Sequence, residues 1–162
     1  MNKQEKLDLI TAFESGYSRV EELVLGMGED EIKFVPPLQD AWSINDFLLH
    51  FLDADISVAF RIRSAIAEPG KEVPVWDEEA WHDALHYGDE KGLACLALAK
   101  GLRSYVSSSL RSVADADWSQ FSIVHATNGK MQLEAIIEHY IKHIAFHLPL
   151  IKRNRQAWQK RG

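Results

Sequence analysis

Three histidines at four-residue intervals, His139, His143 and His147, interrupt the otherwise apolar stretch IIEHYIKHIAFHLPLI, residues 136–151. Neutral imidazole is the commonest side-chain ligand of divalent metal ions, and residues at i and i+4 share one face of a helix. At about 100° per residue, His143 and His147 project only about 40° apart. Ile136, Tyr140 and Leu150 fall within about 60° of them, so both rings are expected to face a packed interior. His139 sits towards the edge of the same stripe, where edge packing accounts for it. An H-x-x-x-H pair can chelate a metal, as in the zinc helices of metalloproteases. It can equally be a pair of hydrogen-bonded, half-exposed polar side chains, and spacing does not choose between the two.

A second segment, WSINDFLLHFLDAD at residues 42–55, carries His50 on the flank of an apolar stripe. If it packs near the later pair, three imidazoles meet on one ion and leave positions open for water or substrate. That is the ligand set of a catalytic zinc rather than a structural one, which a fourth protein ligand closes. Asp53, three residues on, is a candidate to orient the His50 ring or to take up a proton; a solvated carboxylate on the helix surface is the alternative. The residue after His143 is Ile144, so the general-base Glu of the zincins is missing. There is no G-x-S-x-G, P-loop or G-x-G-x-x-G motif. The pair His82 and His86 lies among Asp77, Glu78, Glu79 and Asp83 and reads as exposed polar surface, or as a cover for the mouth of a site. His125 reads as a loop hydrogen bond, and Cys95, in a run of small apolar residues, as core.

Four long segments of helical periodicity must position these residues. Leu7, Ile10, Phe13, Tyr17, Val20 and Val24 define the first, ended by GMGED. Ile44, Phe47, Phe51, Val58, Ile62 and Ile66 define the second, ended by EPGKEVP. Leu93 to Val113 form the third, and the fourth starts near Met131 and runs almost to the C-terminus. Nothing alternates like a strand, so the expected fold is all-α, a four-helix bundle in one domain spanning residues 1–162. Ser43 is placed to cap the second helix with Asp46 three residues on, and Trp42 and Phe47 have the spacing of a hydrophobic staple. In the link between helices two and three, WDEEAWHDALHY predicts a short extra helix or lid. Pro149 removes an N–H from the fourth helix and predicts a kink beyond the histidines.

Composition narrows the partners. With 162 residues, 46% hydrophobic and 26% charged, the chain is long enough for a full core. A net charge of −6 argues against a nucleic-acid binder. One cysteine excludes an internal disulfide and suits a reducing cytoplasm. No membrane span and no signal peptide is evident, so a cytoplasmic protein is expected. The basic tail IKRNRQAWQKR suits a helix C-terminus, whose dipole favours cations.

The two segments together resemble the DinB/YfiT-like superfamily of metal-dependent enzymes. Its members look like W-[ST]-I-x5-H-x2-D at the second helix, then G-x-M-[TS]-L-x5-H-Y-x2-H-x3-H-L-x2-I at the fourth. The resemblance implies an up-down-down-up four-helix bundle, often a homodimer. By position it implies His50, His143 and His147 as ligands of a divalent ion, zinc or nickel. The chain departs from the pattern at Lys142, where Trp is common, at Phe146, where a polar residue is common, and at Gln132, where Thr or Ser caps the helix. The implied activity is metal-dependent, either hydrolysis of a small-molecule substrate by activated water or transfer of a low-molecular-weight thiol. Two other readings stay open: a non-catalytic, stress-related metal-binding bundle, and a metal-free interaction bundle.

Overall fold

The structure, a computed structural model, describes residues 1–161. Its long helices are α1 (Lys3–Glu14) continued by α2 (Ser18–Val24), α4 (Ile44–Ala67), α6 (Gly92–Ser112) and α7 (Leu133–Gln159). Two short helices, α3 (Glu29–Ile32) and α5 (Glu78–Ala84), lie in the links. The expected bundle and the short extra helix are both present. In the bundle α4 packs on α6 and α7, and α1 packs on the same two from the other side. The helices that carry His50 and the later pair are therefore direct neighbours.

Local chemistry explains the element ends. The Ser43 hydroxyl accepts from the Asp46 N–H (3.1 Å), and the Asp46 carboxylate accepts from the Ser43 N–H (2.8 Å), a complete capping box. The Trp42 and Phe47 rings meet at 5.7 Å as the staple. Asn2 and Glu5 make the same reciprocal box at the start of α1. Gln132 heads α7 with no side-chain cap; the Leu133 N–H donates instead to the Phe121 carbonyl at 3.0 Å.

Three sequence expectations are corrected. The first rod is not continuous, because a 3-10 turn at Ser15–Tyr17 separates α1 from α2. Gly16 lies there against α6: a Cβ on it would stand 2.5 Å from Arg103 Nη1. Strands do occur: β1 (Lys71–Val73), β2 (Ser122–His125) and β3 (Gly129–Gln132) form one sheet in that order. β1 runs parallel to β2, and β2 pairs antiparallel with β3 in register Ile123 to Met131. The hairpin turns at Asn128-Gly129, where Gly129 takes φ +67°. Met131 and Gln132 consequently belong to a strand, and the fourth helix starts at Leu133. Segments of three or four residues are too short for alternation to stand out.

The core divides around the bundle's middle. Ile10, Phe13, Val58, Ile62, Ile136 and neighbours fill the end capped by the sheet, whose Val73 and Ile123 join them. Tyr17, Phe47, Phe51, Leu96, Ile144 and Ile151 fill the other. Full burial of one such side chain contributes roughly 1.5–3 kcal/mol. Between the two lies a buried ion pair: Arg103 reaches Asp55 through Nε (2.8 Å) and Nη2 (2.9 Å). The Tyr17 hydroxyl donates to Asp55 at 2.9 Å, and Arg103 Nη1 donates to the Phe13 carbonyl at 3.0 Å. No described helix is long and apolar enough to cross a membrane.

Candidate metal centre

His50 projects from α4, two turns below its cap, and His143 and His147 project from successive turns of α7. Because α4 and α7 touch, the three rings converge. His143 Nε2 lies 2.8 Å from His50 Nε2 and 3.1 Å from His147 Nε2. One nitrogen from each ring falls within 4.8 Å of the others, and the group is the one His/Cys/Asp/Glu cluster with metal-ligand spacing among the described residues. His50 is fully buried and His147 nearly so. Trp42 and Trp76 stand against the His50 ring at 5.4 and 5.5 Å between centroids, and Phe47 against His147 at 5.4 Å.

Burial decides the charge state of the rings. Desolvation lowers the pKa of His50 to about 3, with His147 adding to it. Burial takes His143 to about 2, with His50 and His147 adding to it, and takes His147 to about 4. All three are neutral near pH 7, the form in which imidazole binds a metal. Three neutral rings with their Nε2 atoms turned on one another cannot each find a donor for its lone pair. Behind them the three Nδ1 atoms are buried with no hydrogen-bond partner. Unsatisfied polar atoms in a buried site call for a missing partner.

A divalent cation among the Nε2 atoms would take their three lone pairs, and the Nδ1 atoms behind would then carry the ring protons. Metal–nitrogen bonds of about 2.0–2.1 Å place two nitrogens on one ion about 2.9 Å apart at a right angle and about 3.4 Å apart at the tetrahedral angle. The 2.8 and 3.1 Å separations fall close to the first spacing. Nitrogen donors suit zinc, nickel and copper better than magnesium or calcium, which prefer oxygen. The chemistry available to such an ion is Lewis-acid polarisation and activation of water. A cleft of about 720 Å³ opens beside the cluster, lined by Trp42, Phe47, Glu78, His82, His147 and Arg153 among others. It is of the size that takes a small molecule.

The remaining sequence candidates are placed as follows. Asp53 makes no hydrogen bond to the His50 ring; its carboxylate accepts a short bond from the Tyr87 hydroxyl. Desolvation raises its pKa, the Tyr87 bond working against that. His139 is exposed on α7, its ring against Tyr140, outside the cluster. His125 Nδ1 accepts from the Thr127 and Asn128 N–H groups at 3.3 and 3.2 Å, the loop hydrogen bond expected of it. His82 and His86 do not act as a helical pair. α5 stops at Ala84, and His86 adopts a left-handed conformation at φ 51°. His82 stacks on Trp42 at 4.7 Å and holds Asp83 through Nδ1 at 2.9 Å. Cys95 is buried beside Leu49 and Tyr87, and desolvation raises its thiol pKa.

One residue near the rings was missed from sequence. Glu78, on α5, brings Oε2 to 3.7 Å from His50 Nε2. The contact is not an ion pair, since burial keeps the imidazole uncharged. Desolvation raises the Glu78 pKa, with Glu79 and Asp77 adding to it. The signal in the sequence was an acidic run beside a predicted lid, but nothing there says which acid approaches the rings.

A sequence model of the DinB superfamily matches residues 12–151. No curated protein matches the chain. Among solved structures, YfiT from Bacillus subtilis, described as a probable metal-dependent hydrolase with an unusual four-helix bundle topology, superposes with a TM-score of 0.85 at 19% identity. The match covers 98% of this chain and 90% of that one. At that identity the likeness is one of fold.

Proposed function

The chain belongs to the DinB superfamily, and from that premise we propose that it is a divalent-metal-dependent hydrolase of a small-molecule substrate, with His50, His143 and His147 as the metal ligands. The observation that carries this reading is the convergence, beside an open cleft, of three neutral imidazoles, two buried and one half-buried, whose Nε2 atoms turn on one another and whose Nδ1 atoms have no partner. When bound, zinc or nickel would supply a Lewis acid and lower the pKa of water towards neutrality.

The chain's own residues supply the rest. His50 would tie α4 to the ion, and His143 and His147 would tie α7 to it. Trp42, Trp76 and Phe47 fix the ring planes by packing, since no acceptor holds the Nδ1 atoms. The same aromatic walls keep bulk water from the back of the site, which strengthens electrostatic interactions inside it. Substrate is admitted from the cleft, where Trp42 and Leu150 offer apolar surface and Arg153 a cation. The nucleophile is water rather than a thiol, in keeping with the likeness to YfiT, a probable metal-dependent hydrolase.

Elemental analysis of chelator-free protein, paired with a panel of ester, amide and lactam substrates, tests the proposal. About one zinc or nickel per chain is expected, with turnover lost on chelation and restored by the ion. A rate that requires added low-molecular-weight thiol would replace water by the thiol. Wild-type protein that takes up no divalent ion would overturn the reading.

A further inference from the structure

We propose that Glu78 is a fourth, displaceable protein ligand of the ion held by His50, His143 and His147, so that ion binding and docking of α5 are a single event. The inference rests on the metal reading above and adds to it a ligand from the link between α4 and α6.

Geometry favours Glu78 among the acids of this link. Its Oε2 approaches His50 on the Nε2 side, the side on which the three rings converge, at 3.7 Å. A carboxylate oxygen bonds zinc at about 2.0–2.2 Å, which would place it roughly 2.9–3.4 Å from a ligating nitrogen. At His50 the excess is under about 1 Å, but Glu78 lies outside the group whose ligand atoms all fall within 4.8 Å of one another, so α5 must swing further towards the other two rings to complete the bond. Two of the other acids of this link are engaged elsewhere. Asp77 caps α5, accepting from the Ala80 N–H at 3.1 Å, and Asp83 holds the His82 ring. Among the described residues no Lys or Arg lies within ion-pair distance of Glu78. The Glu78 side chain is 57% exposed, so water solvates it without an ion, and no cationic side chain among the described residues competes with a metal for its carboxylate.

The mounting of α5 allows the movement. None of its seven residues is buried. The segment is held by a few contacts, Trp81 on Trp76 at 5.3 Å, His82 on Trp42 at 4.7 Å, and His82 Nε2 at 3.8 Å from the Asp46 carboxylate. Segments with so little buried surface open at low free-energy cost. Four protein ligands close a tetrahedral site and three leave it open. With Glu78 on a lightly held helix, the site can be closed at rest and opened when a substrate oxygen takes the place of the carboxylate.

The test uses the full chain, stripped by chelator and titrated with Zn2+ against a chromophoric competitor. Wild type, Glu78→Gln and Glu79→Gln are compared, with Co2+ absorption spectra and hydrogen exchange of residues 76–86 recorded for each. Glu78→Gln is expected to weaken Zn2+ binding by about 10- to 100-fold, to change the Co2+ visible bands, and to abolish protection of the segment by metal. Glu79→Gln should behave as wild type. Equal affinity, equal Co2+ spectra and equal protection in Glu78→Gln would overturn the fourth ligand and leave the three histidines standing. Failure of wild type to bind either ion would overturn the metal reading itself and this inference with it.

Discussion

Two buried polar clusters share α4, and they are built on opposite plans. Asp55 follows His50 by little more than one helical turn, and both are fully buried. Around Asp55 every group is paired: Arg103 binds it through two nitrogens, Tyr17 donates to it, and the remaining guanidinium nitrogen finds the Phe13 carbonyl. The Phe13 and Tyr17 rings lie 4.4 and 4.5 Å from the guanidinium carbon. Around His50 the reverse holds. Three like groups face one another, and their outer nitrogens have no partner. The first cluster is finished by the fold and pins α1, α4 and α6 together. The second is left for something the fold does not contain. A buried polar group with its partners reports on architecture; one without them reports on function.

The largest effect should come from breaking the finished cluster. Asp55→Ala leaves a buried guanidinium without its counter-ion, a change that costs about 3–5 kcal/mol. Urea unfolding at pH 7.5 should show that loss in ion-free and zinc-loaded protein alike. A loss below about 1 kcal/mol would make the pair no more than a surface salt bridge. Next comes completion of the unfinished cluster. Zinc at one hundred times its dissociation constant should stabilise wild type by about 2.7 kcal/mol. His143→Ala should abolish that gain, and a gain that survives it would place the ion elsewhere.

A smaller effect appears with pH. The three histidines have folded pKa values of about 4 and below, against an ordinary value of 6.5. From pH 6.5 down to those values the unfolded chain binds protons that the folded chain refuses. Ion-free stability should therefore fall as the pH drops from about 6.5 towards 4, by up to about 1.4 kcal/mol per pH unit for each group. His50→Leu removes one such group and should make the slope shallower by about that amount. Thermal melts in a pH series read it directly, and identical slopes would mean that His50 takes up its proton in the folded state.

How far the two clusters were legible beforehand differs, for a physical reason. The histidines were visible because a helix puts residues i and i+4 on one face, and because the Ser43–Asp46 box fixed where α4 begins. Apolar periodicity then gave four rods. The Asp55–Arg103–Tyr17 cluster was invisible, since Arg103 reads as one more charged residue beside Leu102. Only the packing of α6 on α4 turns it inward. The strands were hidden by their length, and Glu78 by the path of a link that no periodicity constrains. Local rules reached the elements and one shared face; they did not reach contacts that depend on how a loop returns.

The smallest predicted effect separates the two plans by sign. In ion-free protein at pH 7.5, His50→Leu removes one of three mutually frustrated rings and the buried, unpartnered Nδ1 that comes with it. Leucine is close to imidazole in volume and sits well among Trp42, Phe51 and Trp76, which already surround the position. Replacing a polar group that has no good partner by an apolar one of similar shape is neutral or stabilising, here by up to about 1 kcal/mol. The same variant should gain nothing from zinc. Were it instead to lose about 2 kcal/mol or more without metal, the rings would be holding α4 to α7 as Asp55 and Arg103 hold α4 to α6. The two clusters would then follow one plan, and the case for a missing cation would go with the difference.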